Sequence, residues 1–310
     1  MNREDVLQLL GDRPIQKGDS SGYLIVREEK RKDFLLKEVA YKACDGETIE
    51  ALLLIPPFLD LSQGKHYPSI IALHQHGGRY DAGMLEPAGL CEHPANTFAV
   101  TLCKAGFIVL CPEQIGFGRR REQFPDGTLM TGRDNERWLF IDYYLKGRTL
   151  LGKCLFDLSC AVDMLQRLPF VDKERIGVCG HSMGGLLSYW FGWYEKRVKA
   201  IFSCCGFSSL TLLQASHLNH TFAMYLPGLL TIGDTPELLE QLAPTPLYLS
   251  FGATDDIFPL EGSKHICAYA KSTYDTQHAG ERCLVEITDD SHTFTPKKQE
   301  KATHFFKVWL

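Results

Sequence analysis

The chain has 310 residues, 45% of them hydrophobic, with 33 lysines and arginines against 38 aspartates and glutamates. That length fits one large α/β domain or two small ones. A formal net charge of −5 leaves no electrostatic footprint for nucleic acid, and no apolar run reaches the roughly 18 residues needed to span a membrane.

The N-terminal MNREDVLQLLGDRP carries acids early and has no signal-peptide core. The 11 cysteines are odd in number and show no paired metal spacing, so they read as buried, reduced thiols of a cytoplasmic protein. Residues 3–10 have the spacing of a short amphipathic helix, and residues 23–30, 34–42 and 47–55 are β-type. Cys44-Asp45-Gly46-Glu47 carries the Asp-Gly hairpin signal. An antiparallel opening to the sheet is expected, ending at Pro56-Pro57 because proline cannot continue a central strand.

Residues 68–73 read as a buried strand that runs into His74-Gln75-His76-Gly77-Gly78. Histidines at i,i+2 with no carboxylate or cysteine nearby make a poor metal site. A glycine-bearing turn after a strand can instead present a backbone N–H to an oxyanion. A helix over 95–104 and a strand over 106–112 then give strand, helix, strand, which implies a parallel right-handed crossover.

The segment 113–146 is rich in Gly, Arg and aromatics. Arg119, Arg120 and Arg121 read as solvated and paired with Glu122, Asp126 and Asp134, rather than as an anion site. Trp138, Phe140, Tyr143 and Tyr144 read as pocket walls or as packing under a loop. Leu151, Leu155, Leu158, Val162 and Leu165 form one helical stripe within 149–168, which stops at Pro169, and Asp172 is expected to begin a turn.

Then comes RIGVCGHSMGGLL, residues 175–187. Residues 176–179 suit a buried strand, Gly180-His181-Ser182-Met183-Gly184 fits G-x-S-x-G, and helical spacing resumes at Gly185. Strand, tight turn and helix form the setting a nucleophile elbow requires, with Ser182 at the apex in a strained conformation. A Cβ on Gly180 or Gly184 would collide with the neighbouring strand or helix. The helix N-terminus behind the serine favours developing negative charge.

Residues 198–205 are a further strand, and 206–243 is a broken stretch positioned as a lid, whose His217 and His220 read as surface or packing residues. A strand at 246–251, a helix at 261–272, a strand at 283–287 and a closing helix at 296–310 complete the chain. With no repeat and no linker, 1–310 reads as a single domain with lid-like insertions at about 113–146 and 206–243.

An acyl-transfer site needs a nucleophile, a base, a carboxylate to orient the base, and oxyanion donors. The order Ser182, then an Asp, then His292 matches the α/β-hydrolase arrangement. Asp255 lies 73 residues after Ser182 and His292 a further 37 on, room for the intervening elements.

The residues that carry a family likeness are LHQHGG at 73–78, GFIVLCPEQIGFGRR at 106–120, VDKERIGVCGHSMGG at 171–185, GATDDIFP at 252–259 and the SHTF at 291–294. On these the chain resembles the α/β-hydrolases, and within them the dienelactone-hydrolase-like and acetyl (xylan) esterase-like branches. The resemblance implies a mostly parallel central sheet with helices on both faces, antiparallel N-terminal strands and a small cap. It implies Ser182 as nucleophile, His292 as base, and Asp255 as acid by the pattern G-x-x-D-x-x-[VF]-P, with Asp256 as the fallback. The oxyanion N–H donors it implies are Met183 and, in the loop where His74-Gln75-His76 replaces the usual His-Gly-X, His76, with Gln75 or Gly77 as alternatives. The implied substrate is a small-molecule ester, cleaved without metal or cofactor. A prolyl-oligopeptidase-like peptidase shares this fold and triad order. The roughly 45 residues before the resembling region leave no room there for a β-propeller, which weighs against that reading. A non-catalytic binding module would not need all three triad positions.

Overall fold

The computed structural model describes residues 1–11, 22–43, 45–62, 64–92 and 96–310. Helix α1 (Arg3–Leu10) leads into an antiparallel meander of β1 (Tyr23–Lys30), β2 (Leu35–Lys42) and β3 (Thr48–Ile55). Gly46, in the turn between the last two, has a φ of 89°, the left-handed conformation expected of the Asp-Gly turn. Cys44 lies outside the described residues. Strands β4 (Tyr67–Leu73) and β5 (Ile108–Pro112) flank α2 (Phe98–Lys104) and pair in parallel, as a crossover requires. The start expected for this helix, Ala95, lies outside the described residues.

Helix α3 (Gly132–Leu145) occupies a segment whose composition gave no helical pattern. Helix α4 (Leu150–Arg167) starts at a Thr149 cap whose side chain accepts the Gly152 N–H. All five residues of its predicted stripe are buried. Strand β6 (Val171–His181) is longer than the sequence implied. Val171 pairs with Tyr67 before a shift in register, so Asp172 lies inside the strand and not in a turn. Helix α5 (Met183–Tyr194), β7 (Val198–Cys204), α6 (Leu210–Ala215), α7 (Leu239–Leu242), β8 (Leu247–Gly252), α8 (Leu260–Thr276), β9 (Cys283–Thr288) and α9 (Pro296–Trp309) follow.

Among the described residues the sheet order is β1-β2-β3-β5-β4-β6-β7-β8-β9, parallel from β5 to β9. Two cores sandwich it. On one face Phe98 and Leu102 of α2 pack with Phe305 and Phe306 of α9. On the other, the stripes of α4, α5 and α8 pack together. The strand-to-helix turns therefore gather at the C-terminal edge of the parallel strands, where open α/β sheets build sites. No helix among the described residues is long and apolar enough to cross a membrane.

The arginine cluster departs from expectation. The Arg120 side chain is 5% exposed and pairs at 2.6 Å with both Glu47 and Asp157, not with the nearby acids. Arg119 pairs with Glu50 at 3.1 Å. These partners come from the meander and α4, which folding brings against the loop. Phe140 stacks on Tyr144 and packs against Phe222, Tyr143 packs against Arg148, and Trp138 is exposed.

Candidate active site

Ser182 joins β6 to α5 with φ 54° and ψ −121°, a strained conformation for a residue with a side chain. Its N–H donates to Cys204 O at 2.9 Å, which holds the turn against β7. The glycines around it are sterically required. A Cβ on Gly180 would stand 2.1 Å from Gly184 O, and one on Gly184 would stand 2.0 Å from Leu73 O. Met183 opens α5, so its N–H is one of those a helix leaves without an internal acceptor.

Asp255 and His292 meet across 37 residues, with His292 Nδ1 2.8 Å from Asp255 Oδ2. The other carboxylate oxygen accepts the N–H groups of Ile257 and Phe258 at 2.8 and 2.9 Å. Burial pushes the Asp255 carboxyl up. The hydrogen bond and charge of His292, with the two backbone donors, outweigh burial and hold it below the usual carboxylate range. Asp256, the fallback, is exposed and outside this pairing. His292 Nε2 is buried without a partner among the described residues. Ser182 and His292 line one cavity of about 250 Å³, with the His76 loop on another wall.

Lys298 of α9 fixes the histidine's loop from behind. Its buried ammonium donates to Asp290 at 2.8 Å and to Thr293 O at 3.0 Å. It also lies 3.9 Å from Cys205 Sγ. The hydrogen-bonded Cys204 thiol, opposed by burial and helped by His181 and Lys298, brings the Cys205 thiol down to about 5.

Glu136 of α3 was not singled out in the sequence, yet it ties three segments together. It is 4% exposed. It accepts from His76 Nε2 at 3.0 Å, from Phe222 N at 2.7 Å and from the Thr221 hydroxyl. His76 Nδ1 accepts the Gly78 N–H at 3.1 Å, so Nε2 carries the proton that faces Glu136. Burial raises the Glu136 carboxyl, and these donors together bring it below its ordinary range. His220, read as surface or packing, packs its ring on Phe258 and also borders the cavity, with a buried Nδ1 that has no partner among the described residues. No sequence signal marks Glu136, because its side-chain partners His76 and Thr221 lie 60 and 85 residues away.

Three groups bring ligand-type atoms within 4.8 Å of one another: His181-Cys204-Cys205, Cys205-Asp255-His292 and Asp45-Glu47-Asp157. The first two have Lys298 against their shared cysteine. The third encloses the Lys153 ammonium, 2.6 to 2.8 Å from all three carboxylates. In each, a cation of the chain already answers the negative charge.

This sheet order, with a strained serine at the turn after its central parallel strand, defines an α/β-hydrolase. The model of the prolyl oligopeptidase family matches residues 141–309, just over half of the chain, and the chain belongs to that family. It is a serine hydrolase by class. Over 313 residues it is 28% identical to YtaP of Bacillus subtilis (strain 168), a hydrolase by name alone, covering 99% of this chain and 98% of that one. It is 27% identical over 195 residues to dipeptidyl-peptidase 5 of Porphyromonas gingivalis, covering 59% of this chain and only 23% of that longer protein. A Bacteroides fragilis structure bearing the name acetyl xylan esterase superposes with a TM-score of 0.70 at 17% identity, over 92% of this chain and 73% of that one. At that identity the likeness is one of fold.

Proposed function

We propose that the protein hydrolyses a short-chain carboxylic ester through Ser182, His292 and Asp255. The observation that carries the reading is the Asp255–His292 pair, 2.8 Å apart, sharing one small cavity with the strained elbow serine. Ser182 Oγ attacks the ester carbonyl and His292 Nε2 takes its proton. Nε2 has no other partner, and such bonds tighten when substrate is bound. Asp255 holds Nδ1–H and stabilises the imidazolium. The N–H groups of Met183 and His76, with Gln75 or Gly77 as alternative donors in that loop, receive the oxyanion at the N-terminus of α5. The alcohol leaves with the proton from His292. Water activated by the same histidine then cleaves the acyl-enzyme. No step calls for a metal or a cofactor.

The segments 113–146 and 206–243 act as a cap on a single domain, clamped to the His76 loop by Glu136. A cytoplasmic setting fits the cysteines, since none of the ten described forms a disulfide. A second reading, peptidase activity, is favoured by the family match and by the dipeptidyl-peptidase relative. The test is turnover of 4-nitrophenyl acetate, butyrate and octanoate beside a dipeptide 4-nitroanilide, with Ser182→Ala as control. Acetate or butyrate turnover abolished by Ser182→Ala is expected. Turnover of the anilide alone would replace the ester reading by the peptidase one.

A further inference from the structure

The cavity beside Ser182 contains more polarity than hydrolysis of a simple acyl ester needs. Its carboxylates are already engaged: Asp255 with His292, and Glu136 with His76, Thr221 and Phe222. One cation on its wall is not. Arg133, in the first turn of α3, borders the cavity, is exposed, and has no ion pair or hydrogen bond among the described residues. The adjacent Asp134 is taken by Arg137 at 2.6 Å. Across the cavity lie the exposed Asn219 and the half-buried His220, whose Nδ1 is shut away from water without a partner. Burial, with His292 and His76 nearby, lowers the His220 pKa to about 4, so the ring is neutral. Arg133 comes from the first insertion and the Asn219–His220 pair from the second, while the nucleophile and base come from the sheet edge. The polar wall thus faces the part of the substrate beyond the reacting carbonyl.

A hydrocarbon acyl chain here would cover Arg133 with nothing to pair it, which is unfavourable. A planar carboxylate is the natural complement of an unpaired guanidinium, which is always charged and presents a fork of donors. On the ester-hydrolase reading above, we propose that the substrate is a small ester bearing a carboxylate, which pairs with Arg133. About 250 Å³, the volume of roughly eight waters, admits a small acyl group of this kind.

The experiment compares mono-4-nitrophenyl glutarate with its neutral isostere, methyl 4-nitrophenyl glutarate, after subtraction of spontaneous hydrolysis. The readout is the ratio of kcat/KM values. The wild-type enzyme is expected to prefer the anionic ester by about tenfold, the worth of one charge-assisted hydrogen bond. Added salt should shrink the preference. Arg133→Gln should bring the ratio to about one and Arg133→Glu should invert it. A wild-type ratio near one, or a preference that survives Arg133→Glu, overturns the proposal while leaving the ester reading intact. Failure to cleave either ester overturns both. Arg133 is exposed, so its variants fold.

Discussion

Glu136→Gln probes the clamp between the oxyanion loop and the cap. Three donors converge on a carboxylate that is 4% exposed. Glutamine keeps one acceptor oxygen and puts an NH₂ where the other stood. Oriented to satisfy Phe222 N–H and the Thr221 hydroxyl, it turns that NH₂ towards His76 Nε2–H. Moving the His76 proton to Nδ1 only transfers the conflict to the Gly78 N–H, 3.1 Å away. The first arrangement leaves His76 Nε2–H only the Tyr80 hydroxyl oxygen, 2.9 Å away, as acceptor, and the second releases the exposed Gly78 N–H to water, so the exchange costs about 1 kcal/mol. For a chain of this size that lowers Tm by roughly 2 °C. His76 stands in the loop proposed to supply the second oxyanion donor, and a displacement of about 1 Å there would cost on the order of a hundredfold in rate. The Glu136 carboxyl is held below its ordinary pKa, so its contribution is complete above the unfolded value of about 4.3 and fades as pH falls through the folded one. The stability gap between wild type and variant should narrow in acid. Differential scanning fluorimetry across pH and kcat/KM for 4-nitrophenyl acetate test this. Wild-type Tm and wild-type rate together would refute the clamp.

Two further outcomes are expected. In Gly184→Ala the new Cβ would lie 2.0 Å from a carbonyl oxygen of β4, which is backbone and cannot give way, whereas Gly46 has open space and only a φ of 89°. Calorimetry should show Gly46→Ala losing about 1 kcal/mol and Gly184→Ala about 3 kcal/mol or more; equal losses would contradict the packing at the elbow. The second concerns Cys205. Its thiol titrates near 5 in the folded protein, so its contribution to stability is complete above the unfolded value of about 8.5 and is lost as pH falls through 5. Thiolate ultraviolet absorbance should persist at neutral pH, disappear around pH 5, and be absent in Cys205→Ser. No such step in the wild type would show that Lys298 does not hold a thiolate.

The readable parts of this protein are those whose causes are local. The elbow is legible because strand, glycines and helix fall within residues 175–187, and the α4 stripe is legible because burial repeats at helical spacing. The Asp255–His292 contact could be anticipated because both residues follow parallel strands, and topology brings such strand ends to one edge. Glu136, His220 and Arg133 carried no such mark. Helix α3 exposes Trp138 and Tyr144, so it shows no single apolar stripe, and it is held by contacts such as the Glu136–Thr221 bond across 85 residues. Arg120 departs from its reading for the same reason: its partners Glu47 and Asp157 lie 73 and 37 residues away, while Asp126 and Asp134 are engaged by Thr128 and Arg137.

The central claim is that Ser182, activated by His292, is the nucleophile. The direct measurement is the intact mass of the protein after incubation with a fluorophosphonate probe, followed by peptide mapping. A single adduct on Ser182 in the wild type, absent in Ser182→Ala and greatly slowed in a folded His292→Ala, is the predicted result. Labelling at another residue, or none on folded wild-type protein, would contradict it.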